Sequence, residues 1–113
     1  MNEKQLKLLY DIKIAIQEID SYFVKKPRNF DYYKNNTLLK RAIERNLEII
    51  GEALNRILKE DPGFPIENAK KIVGLRNQII HGYDSISDEN IWGIINMHLP
   101  RLKSEIDNLI GRS

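Results

Sequence analysis

The sequence predicts an all-α protein, an antiparallel bundle of four to five helices whose last helix is kinked. Apolar residues return at three- and four-residue steps along most of the chain, the period of a helix with one buried stripe. No window alternates strictly between apolar and polar, and the breaks fall at clusters of proline, glycine and asparagine. A chain of 113 residues has room for one domain, 1–113, and one core, with none left for a separate cofactor-binding domain. Short connections favour neighbours that run up and down, although chain order alone does not say which helix lies beside which.

The first helix runs from Lys4 to about Val24, with Leu8, Leu9, Ile12, Ile16, Ile19, Tyr22 and Phe23 at helical spacing. "KKPRNFDYYKNN" interrupts the period with Pro27 and paired asparagines, and Phe30 and Tyr33 suit a short anchored turn within it. Thr37 offers a cap for the longest periodic segment, "TLLKRAIERNLEIIGEALNRILKE", which stops near Glu60 at "DPGFP". A third helix starts near Pro65 or Ile66 and continues to Gly82. The last begins after Ser87, with Glu89 in its first turn, and runs towards Leu109 across Pro100, where a kink or a restart is expected.

Composition excludes more than it selects. With 42% hydrophobic and 30% charged residues the chain is of ordinary globular make-up. The absence of cysteine removes disulfide and thiolate chemistry, and two histidines far apart in sequence are a poor start for zinc, so no metal and no cofactor is expected. The lack of cysteine fits a reducing cytoplasm. Charge in every turn of the first helix argues against a signal peptide or a membrane span. A net charge of +2 and a pI near 8.8 permit a nucleic-acid partner without requiring one. Lys25, Lys26 and Arg28 form a small basic connector, and Lys40, Arg41, Arg45 and Arg56 lie along the second helix; a solvated face is the preferred reading of both groups, and steering of RNA, with binding that weakens steeply in salt, is the alternative.

The stretch "GLRNQIIHGYD", residues 74–84, breaks the pattern of its own helix. On a wheel, Ile72, Leu75 and Ile79 fall on one side of the apolar arc, Val73 and Ile80 on the other, and Arg76 between them. Tyr83 returns to nearly the direction of Arg76, while Asn77 and His81 are i,i+4 neighbours on the edge of the arc. Arg76 and His81 stand about 140° apart round the helix, so one intact helix cannot aim both at a single atom. Either the helix ends near Gly82 and bends His81 inward, or a second chain completes the site.

Each residue has an ordinary explanation. Arg76 can pair inside the fold with Glu44, Glu48 or Glu52; His81 can sit at a helix C-terminus for the sake of its dipole; Asn77 can be a surface residue and Tyr83 a core-edge aromatic. His98, on another helix with apolar neighbours, reads as structural. A cation, an amide, an imidazole and a phenol within one short stretch are harder to assign to packing. Histidine titrates near neutrality and arginine is a permanent forked donor for phosphate oxygens, a combination suited to phosphodiester chemistry. RNA carries its own nucleophile in the 2′-hydroxyl. One copy of the motif supplies one cation and one proton carrier, and an isologous dimer would bring two of each to one cleft.

"RNQIIHGY" resembles the R-x4-H-x-Y signature of HEPN proteins, and specifically of HepT-like toxins of the MNT/HEPN toxin–antitoxin modules. "RAIERNLEIIGEAL", residues 41–54, resembles the second helix of that family, and the likeness extends over most of the chain. The resemblance implies an all-helical HEPN homodimer with metal-independent endoribonuclease activity, as in a type VII-like toxin–antitoxin system. Carried over by position, Arg76 and His81 are the catalytic pair, with Asn77 positioning the histidine or the phosphate. Tyr83 matches the tyrosine that an MNT-type nucleotidyltransferase antitoxin modifies with AMP, and Glu52 is a supporting acidic residue. RNA is the implied substrate. The alternatives are a non-catalytic interaction module that binds a nucleotide or a nucleotidyltransferase, and a plain structural bundle with Arg76 in an internal ion pair.

Overall fold

The computed structural model describes residues 1–67, 69–81 and 86–112, and of His81 the backbone alone. The described residues form helices and connecting turns, in the order α1 (Glu3–Ser21), α2 (Phe30–Lys34), α3 (Thr37–Glu60), α4 (Ala69–His81), α5 (Asp88–Gly93) and α6 (Leu99–Gly111). Asparagine or serine side chains start four of them. Asn2 and Gln5 make a reciprocal capping box, and Asn29, Asn36 and Ser87 each accept a hydrogen bond from a backbone N–H in the first turn that follows. Thr37 is therefore the first helical residue and Asn36 the cap, one position earlier than expected.

The core lies between α1 and α3. Leu9, Ile12 and Ile19 meet Ile43, Leu47, Ile50, Leu54 and Ile57 with no exposed surface left on any of them, each worth roughly 1.5–3 kcal/mol of transfer from water. The two helices run antiparallel: Lys4 pairs with Glu60 at one end, and at the other Tyr22 donates to buried Asn46 at 2.6 Å. The Asn46 amide in turn donates to the Ala15 carbonyl and to Glu18. The last helix lies antiparallel to α1 as well, tied by Lys13 to Asp107 and Lys103 to Asp20. An aromatic cluster docks α2, where Tyr33 stacks on Trp92 at 5.3 Å and Phe30 and Phe23 close round the indole.

Two further boundaries differ from the sequence reading, each for a local reason, and a third expectation, the restart near Pro100, is met. α1 stops at Ser21 because the chain tightens through three-residue turns from Phe23 to Lys26, leaving Val24 on the surface. The segment at Phe64 and Ile66 is a turn rather than a helix start: both side chains are buried, and the Ile66 N–H closes onto the Phe64 carbonyl. Beyond Ser87 the helix does restart, through a π turn at Ile94–His98 in which the Leu99 N–H reaches back to Ile94. Pro100 then falls in the first turn of α6, where its missing N–H costs nothing.

Candidate functional site

α4 packs chiefly on α3, and the crossing is set by Gly51. A Cβ placed there would lie 2.3 Å from the Arg76 Cβ and 2.8 Å from its Cγ. Only glycine lets the two backbones approach so closely, and the aliphatic stem of Arg76 runs straight across it. Sequence reasoning missed Gly51. Its signal was present, since a glycine in the middle of a long helix costs about 1 kcal/mol against alanine and so marks a close approach.

The Arg76 side chain is 23% exposed, so it lies on the rim of a groove rather than sealed in the core. Its Nη2 meets the Glu52 carboxylate at 2.6 Å, and its Nη1 donates to the Asn77 Oδ1 at 3.1 Å. The Nε is covered and unbonded, a desolvated donor that costs on the order of 1–3 kcal/mol. Glu52 is shared, for its other oxygen lies 3.4 Å from the Arg56 Nε in a second ion pair. Of the three glutamates open to Arg76 in the sequence, the Gly51 crossing selects Glu52 because it is the next residue along α3.

The groove holds about 600 Å³ between α1, α3 and α4. Four carboxylates (Asp11, Glu18, Glu48 and Glu52) face three guanidiniums (Arg45, Arg56 and Arg76), so it is not a basic cleft. Each guanidinium is paired with a glutamate. Ile14, Ile49 and Ile80 line it with 54%, 37% and 41% of their surface exposed. Ile80, placed by the wheel on the buried arc, thus opens to the groove instead.

α4 is helical through position 81, so no bend within it swings that position towards Arg76. The two Cα positions stay about 140° apart round the axis. Tyr83 and Gly82 lie outside the described residues. His98 is not confined to apolar neighbours: it shares a second groove with Lys70 and Lys71. Burial first, then the charges of Lys71 and Arg101, hold its pKa below the ordinary histidine value. Among the described residues no three histidine, aspartate or glutamate side chains gather as a metal site, and no helix is long and apolar enough to cross a membrane.

A family model described as "Ribonuclease HepT-like" matches residues 12–109. Two proteins of Methanocaldococcus jannaschii align end to end with the chain. "Putative RNase MJ1380" is 34% identical over 110 residues, covering 95% of this chain and 98% of its own. "Putative RNase MJ0125" is 30% identical over 112 residues, covering 97% and 95%. "Putative RNase TTE0752" of Caldanaerobacter subterraneus subsp. tengcongensis is 31% identical over 86 residues, 73% of this chain and 74% of its own. No solved structure matches the chain.

Proposed function

Because the chain belongs to the HepT-like ribonuclease family, we propose that it is a metal-independent endoribonuclease toxin that works as a homodimer and is silenced by a nucleotidyltransferase antitoxin. Arg76 carries the reading. Its guanidinium is held at a groove rim by Glu52 and Asn77, its stem crossing a glycine whose missing Cβ makes room for it, and pre-positioning of this kind is what a phosphate-binding arginine needs.

The backbone separation of positions 76 and 81 favours a site completed by a second copy. Two apposed motifs supply a base, an acid and two cations. One His81 takes the 2′-hydroxyl proton as the 2′-oxygen bonds to phosphorus. The bond from phosphorus to the 5′-oxygen breaks, the other His81 protonates that oxygen, and the guanidiniums balance the charge on the phosphoryl oxygens. The products are a 2′,3′-cyclic phosphate and a 5′-hydroxyl. The exposed isoleucines round the Arg76 groove, Ile14, Ile49 and Ile80, suit a face covered by the second copy. In the silenced form the Tyr83 oxygen is bonded to the α-phosphorus of ATP with loss of pyrophosphate, and the added AMP brings bulk and negative charge to the motif.

A second reading has one observation in its favour: Arg76 is already paired by Glu52, as an internal ion pair in a non-catalytic binding module would be. Cleavage of a varied RNA pool in EDTA decides between them. Wild type should cut and leave cyclic phosphate ends, and His81→Ala should lose about 10²–10⁴-fold while keeping its helicity and oligomeric state. Folded, unmodified wild type that cuts nothing supports the binding module, and strict dependence on added metal sinks the mechanism.

A further inference from the structure

The groove on the other flank of α4 is a better surface for a polyanion than the one that holds Arg76. It encloses about 530 Å³ between α4 and the rod formed by α5, the π turn and α6. Lys70 and Lys71 line one wall, and Asn90, His98 and the single acid Glu89 the other. Among the described residues neither lysine pairs with a carboxylate, and no ion pair involves Arg101 beside His98. That is the reverse of the first groove, where every guanidinium is met by a glutamate.

Its walls carry no side chain at two positions. Gly74 on α4 and Gly93 at the end of α5 both line it, and a Cβ added to either would meet nothing within 4 Å. The π turn follows Gly93 directly and ends on His98, whose Nδ1 is covered but has no hydrogen-bond partner. Single-turn π segments tend to sit where a helix gives up regularity to place a side chain. Gln78 adds an amide to the α4 wall, as Asn90 does opposite. Among the described residues no phenylalanine, tyrosine or tryptophan lines the groove, so it offers no ladder of rings for successive bases.

We propose that this second groove binds the phosphate backbone of the RNA strand, with Lys70 and Lys71 as its cations and His98 and the two amides as hydrogen-bonding groups. Phosphate contacts hold a strand in register without reading its sequence. The proposal rests on the ribonuclease reading, whose Arg76 groove has no net positive charge to hold a strand by itself. It assigns strand holding to one flank of α4 and cleavage to the motif.

The test uses the full chain and a 2′-O-methyl RNA oligonucleotide, which cannot be cleaved, followed by fluorescence anisotropy across a salt series. Lys70→Glu with Lys71→Glu reverses two exposed charges and spares the core. Lys25→Glu with Lys26→Glu makes the same change in net charge on the connector between α1 and α2. The groove pair should weaken binding about tenfold or more and flatten the salt dependence by about 1.4 in log–log slope, as the loss of two single-strand phosphate contacts requires. The connector pair should cost less than about twofold, the effect of net charge alone. Equal losses from the two pairs, or none from the groove pair, overturn the proposal. Competition by inorganic phosphate or AMP at concentrations that leave the connector pair's binding intact would assign the groove to a free phosphate ligand instead and overturn the strand. Failure of wild type to bind or cut any RNA overturns the ribonuclease reading with it, whereas wild-type cleavage with an indifferent groove pair overturns the groove alone.

Discussion

The two flanks of α4 are built from similar side chains and end in opposite states. On the α3 flank three arginines line a groove, yet Glu48 and Glu52 occupy all of them. On the flank facing the last rod two lysines line a groove of nearly the same size and, among the described residues, meet no carboxylate. Counting cations would choose the first flank as the nucleic-acid surface. Counting cations that the fold has not already neutralised chooses the second, because a paired guanidinium must give up its partner before it can take a phosphate. The paired flank suits a role in which Arg76 is held ready and released, and the unpaired flank suits one in which a strand is simply attracted.

The strongest way to break the first flank is to deny it the close crossing. Gly51→Ala puts a methyl carbon where the Arg76 Cβ already stands. α3 and α4 must separate or the arginine must leave, and the helix-propensity gain of about 1 kcal/mol offsets only part of that. Overpacking costs about 1–3 kcal/mol, so the net loss should be up to about 2 kcal/mol once the propensity gain is set against it, read as a lower urea midpoint with unchanged m. Cleavage should fall with it while binding of 2′-O-methyl RNA, held on the other flank, changes little. A variant as stable as wild type would mean that the crossing yields without strain.

A milder change makes the first flank resemble the second. Glu52→Gln removes the carboxylate shared by Arg56 and Arg76 and keeps its shape. The carboxylate is 43% exposed and the pair is screened, so stability should move by less than about 1 kcal/mol. RNA affinity should rise a few-fold, with a steeper salt dependence, because two guanidiniums become free to contact phosphate. Weaker binding would mean that Glu52 orients Arg76 rather than competing for it.

How much of this was legible in the sequence depends on whether its cause is local. Ile43, Leu47, Ile50, Leu54 and Ile57 repeat along α3 because they are buried on one face, and burial leaves its period in the chain. Ser87 was legible as a helix start for the same reason that it caps one. The partner of Arg76 was only half legible. Glu44, Glu48 and Glu52 recur at four-residue steps on one side of α3, and the height at which α4 crosses, fixed by a missing Cβ at Gly51, selects among them. The second groove left no local trace: Lys70 and Lys71 stand far from His98 in the chain and meet it across the gap between α4 and the π-bulged rod. His98 looked structural because its sequence neighbours are apolar, and two of them, Ile94 and Met97, do line the groove with it, but so do Lys70 and Lys71 from another helix.

The smallest expected effect, and the sharpest probe of the unpaired flank, is the titration of His98. Burial is the main cause that depresses its pKa, and Lys71 and Arg101 add to it, against the ordinary value of 6.5. Lys70 and Glu89 also line the groove. A depressed pKa means that the unfolded chain takes up a proton before the folded one does. The stability contributed by the neutral imidazole is therefore complete above about pH 6.5 and is lost as pH falls through the folded-state value. His98→Gln should remove that part of the loss, visible as a flatter fall in urea midpoint between neutral and acid pH. Bound phosphate should act in the opposite direction, offsetting the lysine charges and raising the His98 pKa in an NMR titration of its ring proton. A pKa that stays put when RNA binds would leave the depression as a consequence of burial alone and take the histidine out of the groove's binding set, with the two lysines still to answer for the strand.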